Sequence, residues 1–402
     1  MVFKRKPGIT ILLVYSLGVT ILRALRTPND FAEAHWLLDY RFGFVKRGLV
    51  GEMLTRITSA LSLRITENLI LILSGIAFLV FCVGMVYLSL KVIQNLNWSS
   101  GAILTTLVFL TSPFMVMSAH LFGYYDNIVI VLGILSVILL LKGKLWSGVI
   151  LQGLGMLIHE NSLFLAFVPF CLTWFLMNFG PRKPGAPLPL LLPVGTLLYL
   201  AVNQEVLVNP DFNRLYSEHL SQFPFIEKTA AAVSPLWLST SFSQYFELQS
   251  VDILRRVGTV SIYLLFLPSA FGMLFFILAA FPFPKNRWRM GFLIFGVCFA
   301  PQSMHLVAWD TFRIWTYTIF CAFFALWVYS EIFPSQRDPF PNGFVPYFIL
   351  MINAIIPIPL MDGQVERFSF LTRLVIYIPV LAGGLVLLLN RRAGQEGTRV
   401  AA

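Results

Sequence analysis

Charge is what this chain has least of. Only 12% of its residues are Asp, Glu, Lys or Arg, against 57% hydrophobic, and its mean hydropathy is +0.79. A soluble domain carries about twice that charged fraction, so a soluble globular fold is excluded. The motifs of soluble-nucleotide and hydrolytic chemistry are missing too. There is no GxGxxG, Walker A, GxSxG, HExxH or CxxC. Cysteine is scarce. Cys82, Cys171, Cys298 and Cys321 all lie in apolar runs and form neither a disulfide framework nor a metal spacing. The alternating pattern of a membrane barrel is absent. No internal repeat of the inverted-transporter kind is visible. No small-residue cleavage site follows the first apolar run, where Leu22-Arg23-Ala24-Leu25-Arg26 stands, so that run reads as an uncleaved span.

What is present is a series of apolar runs, each near the roughly 20 residues that cross a bilayer. They fall near 8–25, 68–90, 101–118, 127–141, 147–158, 163–179, 187–202, 257–281, 290–306, 314–332, 344–360 and 374–390. The expected fold is all-α: one polytopic transmembrane helical bundle of about twelve spans over residues 1–402. Two longer polar intervals interrupt it, 26–66 and 203–256. The net charge of +10 reflects topology rather than nucleic-acid binding. Lys4-Arg5-Lys6, Lys91, Lys142 with Lys144, Arg182-Lys183, Lys285 with Arg287 and Arg289, Arg337 and Arg391-Arg392 fall on alternate loops. That side is cytoplasmic by the positive-inside rule, with both termini inside and the plasma (inner) membrane as location.

The acids then sort to the other side. Of nineteen Asp and Glu, only Glu331, Asp338 and Glu396 fall inside, and all five histidines fall outside. The first outer loop also carries or borders Arg23, Arg26, Arg41, Lys46, Arg47, Arg56 and Arg64, against the topology rule. Such a loop is expected to meet an anion, a phosphate or a lipid headgroup. Within it Val50, Met53, Leu54, Ile57 and Leu61 recur at helical spacing, and Arg47, Arg56 and Thr58 fall off that stripe, which predicts an interfacial amphipathic helix. In the second loop Pro210 and Pro224 bound a short helix, followed by Trp237, Phe242, Tyr245 and Phe246.

Four constellations carry chemistry. Asp30 sits just past the first span, where a carboxylate can act as general base; it reads equally as a helix N-cap with Glu33 completing a capping box. Asp39 is a second acid, otherwise an ion pair with Arg41 or Lys46. Asp126, in His120-Leu-Phe-Gly-Tyr-Tyr-Asp126-Asn127, opens an apolar run, where an acid is costly unless paired. His159-Glu160-Asn161 breaks two apolar runs. Finally, Asp310 and Arg313, one turn apart after His305, read as a local ion pair or as a phosphate grip. Asp362, Glu366, Arg367 and Arg373 read as a solvated loop.

Two stretches resemble the GT-C glycosyltransferases, multispanning enzymes that use polyprenyl-phosphate sugars. Thr27-Pro-Asn-Asp30-Phe31-Ala-Glu-Ala-His-Trp36 is similar to the start of the first outer loop in the mannosyltransferase-like branch. Gly123-Tyr124-Tyr-Asp126-Asn127, an apolar helix, Lys142-Gly143-Lys144, then Ser147-Gly148 through Gly153-Leu-Gly155 resembles the family's following block. His159-Glu160 stands where a lysine often follows, and Glu33 or His35 where an aromatic is usual. The likeness covers the first 180 residues or so.

It implies an integral membrane glycosyltransferase moving a sugar from a polyprenyl-phosphate donor to a glycan, lipid or protein acceptor on the extracytoplasmic face, in cell-envelope polysaccharide chemistry. Asp30 would be the base, with Asp39 or Asp126 orienting the acceptor. Arg41, Lys46, Arg47 and Arg313 would face the departing phosphate. Glu33, His35, Tyr124, His159, Glu160, His305 and Asp310 complete the expected substrate contacts. No cofactor is expected, although a divalent metal held by His159, Glu160 and a first-loop acid stays open. The alternatives are a polysaccharide polymerase or ligase and a lipid-linked glycan flippase. Few charges lie within the spans, which counts against the flippase.

Overall fold

A computed structural model describes residues 7–179, 183–203, 209–239, 259–280, 287–306, 310–334 and 343–400, with positions 244, 246, 247 and 308. Among these every regular element is helical, apart from one isolated bridge between Pro359 and Val365. A helix stands at each of the twelve places where the sequence predicts one. Among the described residues five stretches are long and apolar enough to cross a membrane: Glu67–Asn95, Ser100–His120, Ile262–Ala279, Thr311–Ile332 and Phe370–Leu389. Six more apolar helices are shorter, Pro7–Leu22 and Asp126–Leu141 among them.

In chain order, α1 (Pro7–Leu22) leads into two short helices of the first loop, α2 (Asp30–Trp36) and α3 (Gly48–Ala60). Then come α4 (Glu67–Asn95), α5 (Ser100–Leu110), α6 (Pro113–His120), α7 (Asp126–Leu141), α8 (Leu145–Ile158), α9 (Val168–Met177) and α10 (Leu191–Val202). The second loop holds α11 (Phe212–Leu220) and α12 (Lys228–Ser239). The chain ends with α13 (Leu267–Ala280), α14 (Arg287–Phe299), α15 (Thr311–Ile332), α16 (Phe344–Ile355) and α17 (Phe370–Val400).

Prolines explain where these helices depart from the expected spans. Pro113 forces Ser112 into an extended conformation and divides α5 from α6. Pro357 and Pro359 end α16 at Ile355, short of the expected 360. Pro301 accompanies the change to three-ten geometry over Ala300–Leu306. Pro169 and Pro268 each follow a single π turn. There Val168 N–H bonds to Leu163 O and Leu267 N–H to Ile262 O, and the wider turn takes up the room that the proline ring needs.

The centre of the bundle is α5–α6 against α15. Residues 101–120 are all buried, and Phe109 stacks on Phe323 with centroids 3.7 Å apart. The outer helices show the reverse. On α4, Ile72, Leu79 and Val83 are exposed while Ser74, Phe78 and Phe81 turn inward. Apolar side chains facing out and small or aromatic ones facing in suit a surface solvated by lipid.

The first loop is folded tightly onto the bundle. α3 packs by Gly51, Leu54 and Thr58, and a Cβ at Gly51 would overlap the Leu38 carbonyl. Of the expected interfacial stripe, Leu54 alone is turned fully onto the bundle. Thr58, placed off it, is buried and bonds to Leu54 O, whereas Met53, Ile57 and Leu61 face outward. The second loop contains the predicted helix between its prolines, as α11. Trp237 lies on α12, while Phe242 and Tyr245 fall outside the described residues.

Candidate functional site

Polar side chains converge at one end of the bundle, where both long loops lie. Asp126 opens α7 and is 2% exposed, yet it caps nothing. Its Oδ2 accepts from Arg313 Nη2 at 2.5 Å; its Oδ1 accepts from Tyr317 Oη at 2.6 Å and from Asn161 Nδ2 at 3.1 Å. Arg313, one turn into α15, also reaches Asp310 at 3.1 Å and lies over the Tyr124 ring. Three donors on one carboxylate offset much of the desolvation that a buried acid suffers.

Asn161 joins this knot to a second one. Ile158 ends α8, and His159 is extended, so His159-Glu160-Asn161 forms the corner before the π turn. Asn161 N–H donates to His159 Nδ1 at 3.1 Å. Glu160 takes a forked pair of bonds from Arg47, one at 2.9 Å. Arg47 Nη1 lies 3.3 Å from His35 Nε2. Both histidines therefore receive a hydrogen bond on a ring nitrogen, which requires the neutral form. The electrostatics agree: burial first, then Arg47, pushes His159 down to about 4 and His35 well below its ordinary value. Burial would raise the Glu160 carboxyl, but Arg47 outweighs it and holds it well below the usual range. Burial lowers Lys46, with Glu160 opposing and Arg47 adding. Arg47 has φ 65°, rare for a residue with a side chain. Such conformations persist only where the surroundings impose them, and they gather at functional sites.

The depressed histidines set a pH dependence. Between about 4 and the unfolded value near 6.5, the unfolded chain binds the proton that folded His159 refuses. That stability is fully present above pH 6.5 and is lost as pH falls toward 4, up to about 3 kcal/mol for the site. Glu33 runs the other way. Burial, then Glu67 and Asp30, raise it to about 7, so its contribution is present below its ordinary value and lost as pH rises through 7. The two oppose each other in mid-range, so the comparison has to isolate one group. Thermal melting of wild type and His159→Asn, followed from pH 7 to pH 5, should show the wild type losing more; parallel curves would remove His159 from the account.

The remaining expected residues fall elsewhere. Asp39 is buried and held by Arg41 Nε at 2.8 Å, Arg41 Nη2 at 2.7 Å and Thr55 Oγ1 at 2.9 Å; Arg41 Nη1 continues to His219 at 3.0 Å. Burial would raise Asp39, and the Arg41 bonds bring it below its ordinary value instead. Asp39 and Arg41 thus tie the first loop to the second, as does Tyr216 Oη, which donates to Ala34 O. Asp30 is not the cap of α2. Asn29 is, accepting from Ala32 N–H, and Asp30 Oδ1 instead accepts Glu227 N–H at 3.2 Å, just ahead of α12. His305, on the three-ten turn, sits against Trp315 of α15.

Tyr317 and Asn161 are central, yet neither was singled out as a ligand. Asn161 was visible as the third member of the triplet. Tyr317 carried no signal beyond its place one turn after Arg313. Gly123, at φ +92°, lets its carbonyl turn to accept Trp36 Nε1, which clamps α2 beside this end of α7. Among the described residues no three His, Cys, Asp or Glu side chains converge as metal ligands would. Glu366 corrects the reading of a solvated loop: it is fully buried between Arg23 and Arg373.

Comparison of the chain with protein-family models, with curated proteins and with solved structures gives no match.

Proposed function

We propose that the chain is a GT-C-like integral membrane glycosyltransferase with twelve spans and both termini cytoplasmic. It moves a sugar from a polyprenyl-phosphate donor to a glycan, lipid or protein acceptor at the extracytoplasmic face of the plasma membrane. The observation that carries the reading is the sorting of the three nominated acids. Asp39 is neutralised by Arg41 and Asp126 by Arg313, whereas Asp30 is half-buried and forms no ion pair among the described residues. A general base needs a carboxylate that can take a proton, so Asp30 keeps that role and the other two become scaffolding.

In the step itself the acceptor oxygen attacks the anomeric carbon, its proton passes to Asp30, and the bond from that carbon to the phosphate oxygen breaks. The leaving phosphate gains negative charge. Lys46, Arg47 and Arg313 supply the positive side for it, with Glu160 and Asp126 fixing the two guanidiniums in place. Asp39 and Arg41 hold the loops together instead of touching substrate.

The test is transfer from labelled polyprenyl-phosphate sugars in liposomes. Asp30→Asn keeps an oxygen for Glu227 N–H, so it should fold normally and lose about 10²- to 10⁴-fold in rate. Turnover equal to wild type would end the mechanism. Activity confined to oligosaccharide-pyrophosphate lipids would move the protein to the polymerases, and lipid translocation without bond cleavage to the flippases.

A further inference from the structure

The second loop rests on the first through a few polar contacts, and one of them works only while a histidine is neutral. His219, near the end of α11, is 4% exposed, with Phe42, Tyr216 and Phe223 around its ring. Its Nδ1 lies 3.0 Å from Arg41 Nη1. A guanidinium has donors and no acceptor, so Nδ1 holds a lone pair there and the ring is neutral. Arg41 is not free to turn away. Asp39 keeps its Nε and Nη2, and Thr55 of α3 keeps Asp39. A proton on Nδ1 would therefore set N–H against N–H, and two cations would share the one carboxylate of Asp39.

Among the described residues, Arg41 and Asp39 are the charges that act on this ring. Burial, then Arg41, lowers His219 below its ordinary value, with Asp39 and a backbone hydrogen bond at Leu37 opposing. Glu52 of α3 and Tyr216 lie near enough to Arg41 to favour its charge. On α11, Arg214 and Glu218 pair with each other at the exposed surface, and Glu227 and Lys228 ahead of and at the start of α12 are exposed.

The contact bears on Asp30. Tyr216, one turn before His219, donates to Ala34 O of α2 at 3.2 Å. After His219 the chain turns through bonds from Phe223 N–H to Leu220 O and from Ile226 N–H to Phe223 O. Glu227 N–H comes next and donates to Asp30 Oδ1. The end of α11 and the amide that holds Asp30 are thus joined by a bonded turn.

We propose that His219 is a positioning residue for Asp30: while neutral it clasps the second loop to the first and keeps Glu227 on the carboxylate, and its protonation releases both. The consequence for transfer rests on the transferase reading, and it makes the reaction sensitive to acid on the extracytoplasmic side. The clasp is fully present above the ordinary histidine value and is lost as pH falls below it. Release takes up one proton, so the closing equilibrium changes by at most about tenfold per pH unit.

The test is backbone hydrogen exchange of the whole protein in nanodiscs at pH 7, 6 and 5, corrected for the intrinsic rate at each pH. His219→Asn keeps an acceptor for Arg41, and His219→Phe keeps a ring among the same neighbours; neither side chain titrates. In wild type, exchange over α11 and at Glu227 should quicken about five- to tenfold from pH 7 to pH 5 relative to α5. Neither variant should show that change, whatever its level at pH 7. The other four histidines are the same in all three proteins, so they cancel in the comparison. Equal pH responses in wild type and both variants overturn the proposal. Quickening in wild type that runs through α5 and α6 as well is general unfolding and also overturns it. Transfer from a polyprenyl-phosphate sugar is followed alongside and should fall more steeply toward pH 5 in wild type than in the variants. The same pH profile in all three overturns the positioning role and leaves the transferase standing. Acid-dependent exchange in a protein that transfers from no such sugar keeps the clasp and removes the transferase.

Discussion

Glu366→Ala should be the most destabilising single substitution in the chain, about 3–5 kcal/mol. The carboxylate accepts Arg23 Nε at 2.7 Å, Arg23 Nη2 at 2.6 Å and Arg373 Nη1 at 2.5 Å. The side chains of Glu366 and Arg23 are 0% exposed and that of Arg373 is 5%. Two guanidiniums share one acid, so a positive charge is left over. It is met by carbonyls at the end of α16: Arg23 bonds to Asn353 O and Ile356 O, and Arg373 to Ile355 O. Those are the orphan acceptors of a helix C-terminus, where the dipole favours a cation. Removing Glu366 leaves two buried cations with backbone oxygens and, for Arg23, the Tyr377 hydroxyl, and α1, α16 and α17 lose their common tie. Glu366→Gln keeps hydrogen-bond acceptance and should be milder. Thermal melting in a fixed detergent measures both. Glu218→Ala breaks a pair with Arg214 at the exposed surface and should leave the midpoint unchanged. If Glu366→Ala melts with the wild type, the clamp is not what joins these helices.

That clamp marks where the sequence stops being informative. Arg23 and Glu366 are 343 positions apart, and no local pattern links them. Four charges within a dozen residues looked like a hydrated loop because charge in a short interval usually is one. The helices were legible for the opposite reason. A bilayer satisfies no backbone group, so each apolar run has to be helical, and every expected position carries a helix. Orientation of a helix face was not legible. Met53, Ile57 and Leu61 of the expected interfacial stripe do face outward, but Leu54 of the same stripe is buried on the bundle, because lipid is as apolar as a protein core and apolar periodicity cannot separate the two sides.

The site was legible as a set of segments and not as a set of partners. The polar interval 29–53, the Asp126 turn, the His159-Glu160-Asn161 corner and Asp310–Arg313 do meet at one end. Which charge neutralises which was decided by packing. Arg47 belongs to Glu160, and Arg313 belongs to Asp126. The cap of α2 fell to Asn29 instead of Asp30 because both residue types suit the position, and a one-residue shift is invisible in composition. That shift matters chemically, since it turns Asp30 from a cap into a carboxylate facing the second loop.

Asp126→Asn is the second large effect, and it separates scaffolding from chemistry. Asp126 accepts from three donors: Arg313, Tyr317 and Asn161. An amide presents one oxygen and one NH₂, so at least one of those donors meets another donor across a buried contact. The expected loss is about 2–4 kcal/mol in stability, moderated by the second bond of Arg313 to Asp310. On the proposed transferase reading, transfer should fall by about 100-fold, because Asn161 positions the corner that orients Glu160 and hence Arg47. The double variant Asp126→Asn with Arg313→Met removes both charges, and replacing a buried pair by neutral groups is often close to neutral in stability. It should melt near the wild type and remain inactive. A coupling of at least about 1.5 kcal/mol between the two positions is expected from the cycle of single and double variants. Recovery of transfer in the double variant would mean that Arg313 serves the fold alone. The phosphate-facing charge would then have to come from Lys46 and Arg47 alone.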